Sequence, residues 1–138
     1  MRAIQITELS GPEALALVDV PEPEATTMLT PGSGVLVDVH AAGVSFPEVL
    51  QTRGEYQLKP PLPFTPGVEA AGDVVEVNTA EGVAVGDRVI VKMRHGAYCD
   101  EAVATPSQLV KLPSTFDYAE GCRLPRTRPA RAPAPRNV

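Results

Sequence analysis

Short runs of alternating or β-branched residues recur through residues 1–112, and glycine or proline separates most of them. Alternation with a period of two predicts strands that bury one face, and β-branched runs between turn residues predict more fully buried strands. The predicted strands are residues 2–8, 15–20, 35–42, 68–77, 88–91, 97–104 and 108–112. Because Gly11-Pro12 separates the first two, we expect them to pair as a hairpin.

The residues that follow the third predicted strand carry a helix-start signal. Ser45 and Glu48 fit a capping box, in which a hydroxyl and a carboxylate each bind an otherwise unpaired amide of the first turn. Gly54 is expected to end this short helix. The apolar stripe predicted for it consists of Phe46, Val49 and Leu50.

Composition favours a turn-rich β architecture over a helix bundle. The chain has 11 glycines and 15 prolines, together 26 of its 138 residues, and only 4% aromatic residues. Its length suits one domain with a real core. A second short helix is expected to start within residues 114–120, with Ser114 as a candidate cap. The predicted class is therefore mainly β (α+β) with short helices.

Charge and cysteine content narrow the function classes. Residues 122–138 hold five arginines and no acidic residue, so the net charge of −5 leaves −10 on residues 1–121. An acidic body argues against a nucleic-acid-binding core, because phosphates would be repelled. Two cysteines make no disulfide framework. The start of the chain does not resemble a signal peptide, and no apolar run reaches spanning length, so we expect a cytoplasmic protein without a membrane partner.

The central segment, residues 63–91, contains GVE at residues 67–69, near its start, and GDRV at residues 86–89, near its end. In order and spacing it resembles the GroES-like catalytic domain of the medium-chain dehydrogenase/reductase superfamily, where Gly-His-Glu and Gly-Asp-Arg-Val take these places. The resemblance implies a GroES-like, partly open β-barrel that covers residues 1–121.

Two departures from that pattern concern zinc. The histidine that ligates zinc in the alcohol dehydrogenases of this superfamily is replaced by Val68, which cannot ligate a metal. The first cysteine ligand of those enzymes falls where this chain has Ser45. The resemblance therefore points to the zinc-independent quinone oxidoreductase branch, and we predict no zinc.

Residues 43–48 (GVSFPE) and 53–56 (RGEY) are similar to stretches that quinone oxidoreductases share. By this resemblance Ser45 and Tyr56 are expected to be catalytic, and Ser45, Phe46, Arg53 and Tyr56 to contact the cofactor. The implied reaction is hydride transfer from NADPH to a quinone or an α,β-unsaturated carbonyl (enone), with a hydroxyl contacting the oxygen that gains charge. Purely structural roles stay open, namely helix capping for Ser45 and covering a core edge for Tyr56.

Residues 122–138 contain four prolines and five arginines without periodicity, so we predict a disordered tail. In the superfamily a Rossmann domain follows, and no Gly-x-Gly-x-x-Gly occurs in this chain. NADP would then be held mainly by that missing domain. We expect the tail to be a frameshift or truncation product, the chain alone to be inactive, and a full-length relative to be a homodimer. The alternatives are a non-catalytic fragment, or a binding module whose basic tail contacts acidic partners.

Overall fold

The computed structural model describes residues 1–26, 32–78 and 80–124. Within them lie two single turns of 3₁₀-helix, Pro12–Ala14 and Pro106–Gln108. The strands are β1 (Arg2–Ile6), β2 (Leu15–Asp19), β3 (Gly34–Ala42), β4 (Glu69–Asn78), β5 (Arg88–Lys92), β6 (Glu101–Ala104) and β7 (Leu109–Lys111). The helices are α1 (Phe46–Arg53) and α2 (Tyr118–Cys122).

The strands form one five-stranded antiparallel sheet, in the order β6-β3-β4-β5-β7, and a separate β1-β2 hairpin. The predicted hairpin of the first two strands is confirmed, with Arg2 opposite Asp19. Isolated bridges from Ala3 to Cys99 and from Ile6 to Phe64 attach β1 to the rest of the fold. The result is the predicted GroES-like, partly open barrel with short helices.

The barrel core consists mainly of valine and alanine side chains that point inward from alternate strand positions. Small side chains let the strands on opposite sides of the barrel approach closely. Its buried residues are Val35, Val37, Ala70, Val74, Val89, Val91, Met93, Ala97, Ala102 and Ala104.

The predicted strand at residues 97–104 begins only at Glu101. The preceding segment pairs with two neighbours instead: Tyr98 N–H donates to the carbonyl of Pro66, and the Tyr98 carbonyl accepts from Ile4 N–H. The chain changes partner here, because Tyr98 and Asp100 bond to Pro66 and β1 whereas residues 101–104 form their ladder with β3. The first strand likewise ends at Ile6, two residues earlier than predicted.

Helix α1 has the predicted limits, with Ser45 at its N-cap and Gly54 in the left-handed conformation (φ 69°) after its last residue. The predicted apolar stripe is not the buried face of the helix, because Phe46 at its start is 70% exposed and Val49 and Leu50 are only half-buried. Instead, the buried residues of the helix are polar: Glu48, Gln51 and Thr52.

This inverted polarity follows from what α1 packs against. The inner face of the helix meets backbone groups of neighbouring segments, and such groups must find hydrogen-bond partners when buried. Gln51 Nε2 donates to the carbonyl of Arg94 at 3.3 Å. Glu48 Oε1 accepts from Val68 N–H at 3.1 Å, and the Thr52 hydroxyl donates to the Val49 carbonyl of α1 itself at 2.6 Å. An apolar face would leave such backbone groups without partners.

Helix α2 is capped by Asp117 rather than by Ser114, the predicted candidate. The Asp117 carboxylate accepts from Glu120 N–H at 2.7 Å, and the Glu120 carboxylate accepts from Asp117 N–H at 2.9 Å. The helix ends with Cys122, which is 3% exposed, so packed structure extends into the first residue of the predicted tail. Arg123 and Leu124 follow the helix, and residues 125–138 of that tail lie outside the described residues.

Cys99 is held in a way that suppresses its reactivity. Its Sγ lies 3.1 Å from the carbonyl oxygen of Gly96 and 3.0 Å from that of Glu101. Burial, with a smaller contribution from the negative charge of Asp100, raises the pKa of the Cys99 thiol from 9.0 to about 11. Below both values the native thiolate fraction is lower than the unfolded one by about 100-fold.

We therefore expect iodoacetamide to alkylate Cys99 at about pH 8 roughly 100-fold more slowly in the native chain than in urea, as measured by peptide mass spectrometry. The raised pKa also means that Cys99 stabilises the fold below pH 9.0, and that this contribution is lost as the pH rises toward about 11. Similar alkylation rates in native and unfolded chains would show that the thiol is accessible and unperturbed.

Candidate active site

A cavity of about 540 Å³ opens between the start of α1, the start of β4 and the segment after β5. Its volume falls within the range of about 300–1,000 Å³ that is usual for small-molecule sites. The residues that line it are Ser45, Pro47, Tyr56, Gln57, Leu58, Val68, Glu69, Met93 and Arg94. We call it the Ser45 cavity.

Gly43 lies just after β3 and connects that strand to the segment that contains Ser45. Gly43 N–H donates to the carbonyl of Glu69 at 3.0 Å, and its carbonyl accepts from the Tyr98 hydroxyl at 2.9 Å. Burial, followed by the charge of Glu48, raises the pKa of Tyr98 to about 12, so its hydroxyl remains a donor at neutral pH. These bonds fix the backbone that presents Ser45.

Glu48 is a buried carboxylate, 4% exposed, behind the wall of the cavity. Its Oε2 accepts from the Ser45 hydroxyl at 2.7 Å and from Ser45 N–H at 3.1 Å. Its Oε1 accepts from Val68 N–H at 3.1 Å. One side chain therefore joins two walls of the cavity, the start of α1 and the segment that leads into β4. The predicted carboxylate half of the capping box is present, and the Ser45 hydroxyl donates to that same carboxylate.

Charged side chains line the cavity at the start of β4, where Glu69 lies, and just after β5, where Arg94 lies. Glu69 and Lys92 are paired across the two strands, and their charged groups lie 2.9 Å apart. Lys92 also donates to the carbonyl of Leu124 at 3.3 Å. Arg94 lines the cavity without an ion-pair partner among the residues that the structure describes. The charged residues that line the cavity are therefore Glu69, whose charge is paired with Lys92 outside the lining, and Arg94, which adds a positive charge.

Of the four predicted site residues, the structure brings two together. Ser45 and Tyr56 line the same cavity, and the Tyr56 hydroxyl has no hydrogen-bond partner within the described ranges. Phe46 and Arg53 are exposed and do not line it. The catalytic and cofactor-binding roles of all four stay predictions.

Arg94 and the wall position of Glu69 were not predicted from the sequence. A signal for both existed, because consecutive strands such as the predicted 68–77 and 88–91 commonly pair as an antiparallel hairpin. Residues just before the first strand of a hairpin lie beside those just after the second. The Gly67-Val68-Glu69 segment and Arg94 could therefore have been placed together.

Val68 occupies the position at which the resembling alcohol dehydrogenases carry a zinc-ligating histidine, and it lines the cavity. Within residues 1–26, 32–78 and 80–124, no three His, Cys, Asp or Glu side chains are grouped closely enough to share a metal ion. Zinc independence stays a prediction. Neither α1 nor α2 has the length and apolar character of a membrane-crossing helix, and none is found elsewhere in these ranges.

The family profile described as the alcohol dehydrogenase GroES-like domain matches residues 31–127. The chain belongs to this family. Mouse quinone oxidoreductase-like protein 2 is 38% identical over 125 residues, which cover 90% of this chain and 34% of that protein. This GroES-like chain thus spans about a third of the length of such relatives.

Two solved structures share the fold. A probable oxidoreductase from Mycobacterium abscessus is 43% identical, with a TM-score of 0.81 over 88% of this chain and 37% of that one. The quinone oxidoreductase from Thermus thermophilus, whose structure was also determined with NADPH, is 30% identical, with a TM-score of 0.74 over 91% of this chain and 37% of that one. Quinone oxidoreductases are therefore among the relatives of this GroES-like domain.

Proposed function

We propose that this chain is the substrate-side domain of an oxidoreductase that transfers hydride from NADPH to a quinone or an α,β-unsaturated carbonyl. The observation that carries the proposal is the Ser45 cavity, where the predicted residues Ser45 and Tyr56 line one ligand-sized space. The quinone oxidoreductase relatives, one of which was solved with NADPH, support this class of reaction.

The lining of the cavity suits the nicotinamide end of NADPH beside a small ring. It combines apolar side chains such as Leu58 and Met93 with hydroxyls and the positive charge of Arg94. Ser45 and Tyr56 would contact the nicotinamide end, with Phe46 and Arg53 at the outer side. Bound NADPH supplies the hydride. Because the chain has no Gly-x-Gly-x-x-Gly, a separate Rossmann domain would hold most of the cofactor.

The residues of this chain would orient the acceptor and stabilise charge. A carbonyl or quinone oxygen gains negative charge as hydride arrives, and a fixed donor beside it lowers the barrier. The Tyr56 hydroxyl has no competing partner among the described residues, so it is the donor best suited to this role. Arg94 would add a favourable positive charge. Neither Val68 nor Ser45 is a strong zinc ligand. The proposed mechanism therefore stabilises the charged oxygen with Tyr56 and Arg94 instead of zinc.

The proposal is tested in a chimera in which residues 1–124 replace the matching part of the Thermus thermophilus quinone oxidoreductase. Calorimetry first establishes that the chimera binds NADPH, and NADPH oxidation by 1,4-benzoquinone is then followed by absorbance. We expect turnover in the chimera. Tyr56→Phe should lower kcat/KM by about tenfold to 100-fold, because a donor to the charged oxygen is lost.

The matched control for the loss of a hydroxyl at Ser45 is Ser114→Ala, since Ser114 is exposed and does not line the cavity. Ser45→Ala should lower kcat/KM, whereas Ser114→Ala should leave it unchanged. A chimera that binds NADPH but reduces neither a quinone nor an enone would refute the proposed function. Equal rates for Tyr56→Phe and the parent chimera would remove Tyr56 from the mechanism.

A further inference from the structure

We infer that Glu48 is a positioning residue that fixes the Ser45 hydroxyl as a hydrogen-bond acceptor toward the cavity. The ligand group that meets Ser45 is then a donor, a hydroxyl or a primary amide, and not a carbonyl oxygen. This inference rests on the proposed function for the identity of the natural ligand. It deepens that function by assigning opposite polarities to the two hydroxyls of the site.

The first step is that the single hydroxyl hydrogen of Ser45 is already used within the protein. A serine hydroxyl carries a single hydrogen, and a carboxylate only accepts. The Ser45 hydroxyl donates that hydrogen to Glu48 Oε2 at 2.7 Å. One lone pair of Ser45 Oγ faces the Glu48 N–H in the capping box, so the remaining lone pair is what the hydroxyl offers to a ligand in the cavity.

The second step is that the Glu48 carboxylate is itself held in place. Ser45 N–H donates to Oε2, Val68 N–H donates to Oε1, and the side chain is 4% exposed. Rotation of the carboxylate away from Ser45 would break backbone bonds at two segments. Hydrogen bonds to a charged acceptor are roughly twice as strong as neutral ones, so a neutral carbonyl in the cavity does not draw the Ser45 hydrogen away.

The third step separates the two hydroxyls that line the cavity. Tyr56 has no hydrogen-bond partner among the described residues, so its hydrogen remains available to a ligand. A ring with two oxygen positions can then place the oxygen that gains charge at Tyr56 and a hydroxyl or amide at Ser45. A serine hydroxyl at position 45 could be expected to act as a second hydrogen-bond donor to the substrate oxygen. The Ser45 hydroxyl does not take that role, because it already donates its hydrogen to Glu48.

The test uses the full chain, labelled with ¹⁵N, and two small probes of matched shape. Hydroquinone carries two hydroxyl donors, and 1,4-dimethoxybenzene carries acceptors only. The amide signals of Ser45 and Val68 report binding during titration. We expect hydroquinone to bind roughly tenfold more tightly, the weight of about one hydrogen bond. Equal affinities, or no shift at Ser45 with either probe, would overturn the inference.

Variants assign the preference to the Ser45–Glu48 pair. Ser45→Ala should abolish it, and Ser45→Thr, which retains a hydroxyl, should restore it. Glu48→Gln should reduce the difference between the two probe affinities. The glutamine amide can donate to Ser45 Oγ, which leaves the Ser45 hydrogen available to a ligand. The matched control is Glu120→Gln, which changes the equivalent residue of the α2 capping box outside the cavity. Retention of the full preference in Ser45→Ala would refute the assignment.

The result stays readable if Glu48→Gln does not fold, because the Ser45→Ala and Ser45→Thr pair leaves the carboxylate in place. No probe contains nicotinamide, and no turnover is measured. Failure of the chimera to reduce quinones would therefore remove the proposed function and leave the polarity of Ser45 established. Equal binding of the two probes in a chimera with normal turnover would refute the polarity of Ser45 and leave the proposed function in place.

Discussion

Gly72→Ala is expected to abolish folding of the chain. A Cβ added at Gly72 would lie 1.9 Å from the carbonyl oxygen of Asp38 and 2.8 Å from its carbonyl carbon. Gly72 is paired with Val39 in the centre of the sheet, next to the irregularity in register between Val39 and Ala41. The clashing atoms belong to the backbone of β3, which cannot move without breaking its ladders to β4 and β6.

We expect a loss of more than about 5 kcal/mol, comparable to the whole stability of a small domain. Urea unfolding followed by circular dichroism, used because the chain has no tryptophan, should show a cooperative transition for the parent chain and none for Gly72→Ala. Gly82→Ala is the control, because its Cβ would meet nothing within 4 Å and only its φ of +76° is unfavourable. That variant should lose about 1–2 kcal/mol. Comparable stabilities for both variants would show that β3 and β4 separate easily at this point.

Glu48→Ala is expected to destabilise the chain by about 2–4 kcal/mol. The substitution leaves Ser45 N–H, the Ser45 hydroxyl and Val68 N–H without their acceptor. It also opens a space behind the start of α1, because the glutamate side chain is 4% exposed. The loss should be largest in the contact between α1 and the segment that leads into β4.

The matched control is Glu120→Ala at the start of α2. Glu120 accepts from Asp117 N–H in the same local arrangement but is exposed. Its removal should cost about 1 kcal/mol or less. Urea unfolding gives both values, and amide exchange at Val68 locates the effect of Glu48→Ala. If the two substitutions cost the same, the contact between Glu48 and Val68 contributes nothing beyond ordinary helix capping.

Local signals in the sequence were sufficient wherever a short-range interaction decides the structure. The alternation that predicts β1 and β2, the Gly86-Asp87 turn and the limits of α1 all depend on residues fewer than ten positions apart. The same holds for the contact between Ser45 and Glu48, which is set by one helical turn. Such interactions exist almost regardless of what surrounds them.

The face that α1 buries was beyond these signals. Periodicity predicted that Phe46 would point inward, because it assumes that the partner surface is apolar. The partner surface instead presents backbone groups, among them the Arg94 carbonyl that Gln51 contacts. Which surface a helix meets depends on distant strands, so no pattern within the helix reveals it.

In α2, local signals predicted the start of the helix, whereas tertiary packing determined the burial of its end. The acidic residues predicted a helix start within residues 114–120, and the Asp117 capping box confirms that a start lies within that range. Burial of Cys122, however, depends on how α2 packs on the sheet, where Tyr118 stacks on His40 with ring centroids 4.3 Å apart. A composition change at residue 122 carried no information about that contact.

The sequence by itself determined the order of strands and turns, the start of α1 and, through its motifs, the GroES-like family. Tertiary structure alone decided that Glu48 would reach Val68, 20 residues away, and that Arg94 would line the same cavity as Ser45. The physical reason is that periodicity and capping report the solvent exposure and hydrogen bonding of neighbours along the chain. A cavity is formed by residues from separate segments, whose approach depends on how the whole barrel packs.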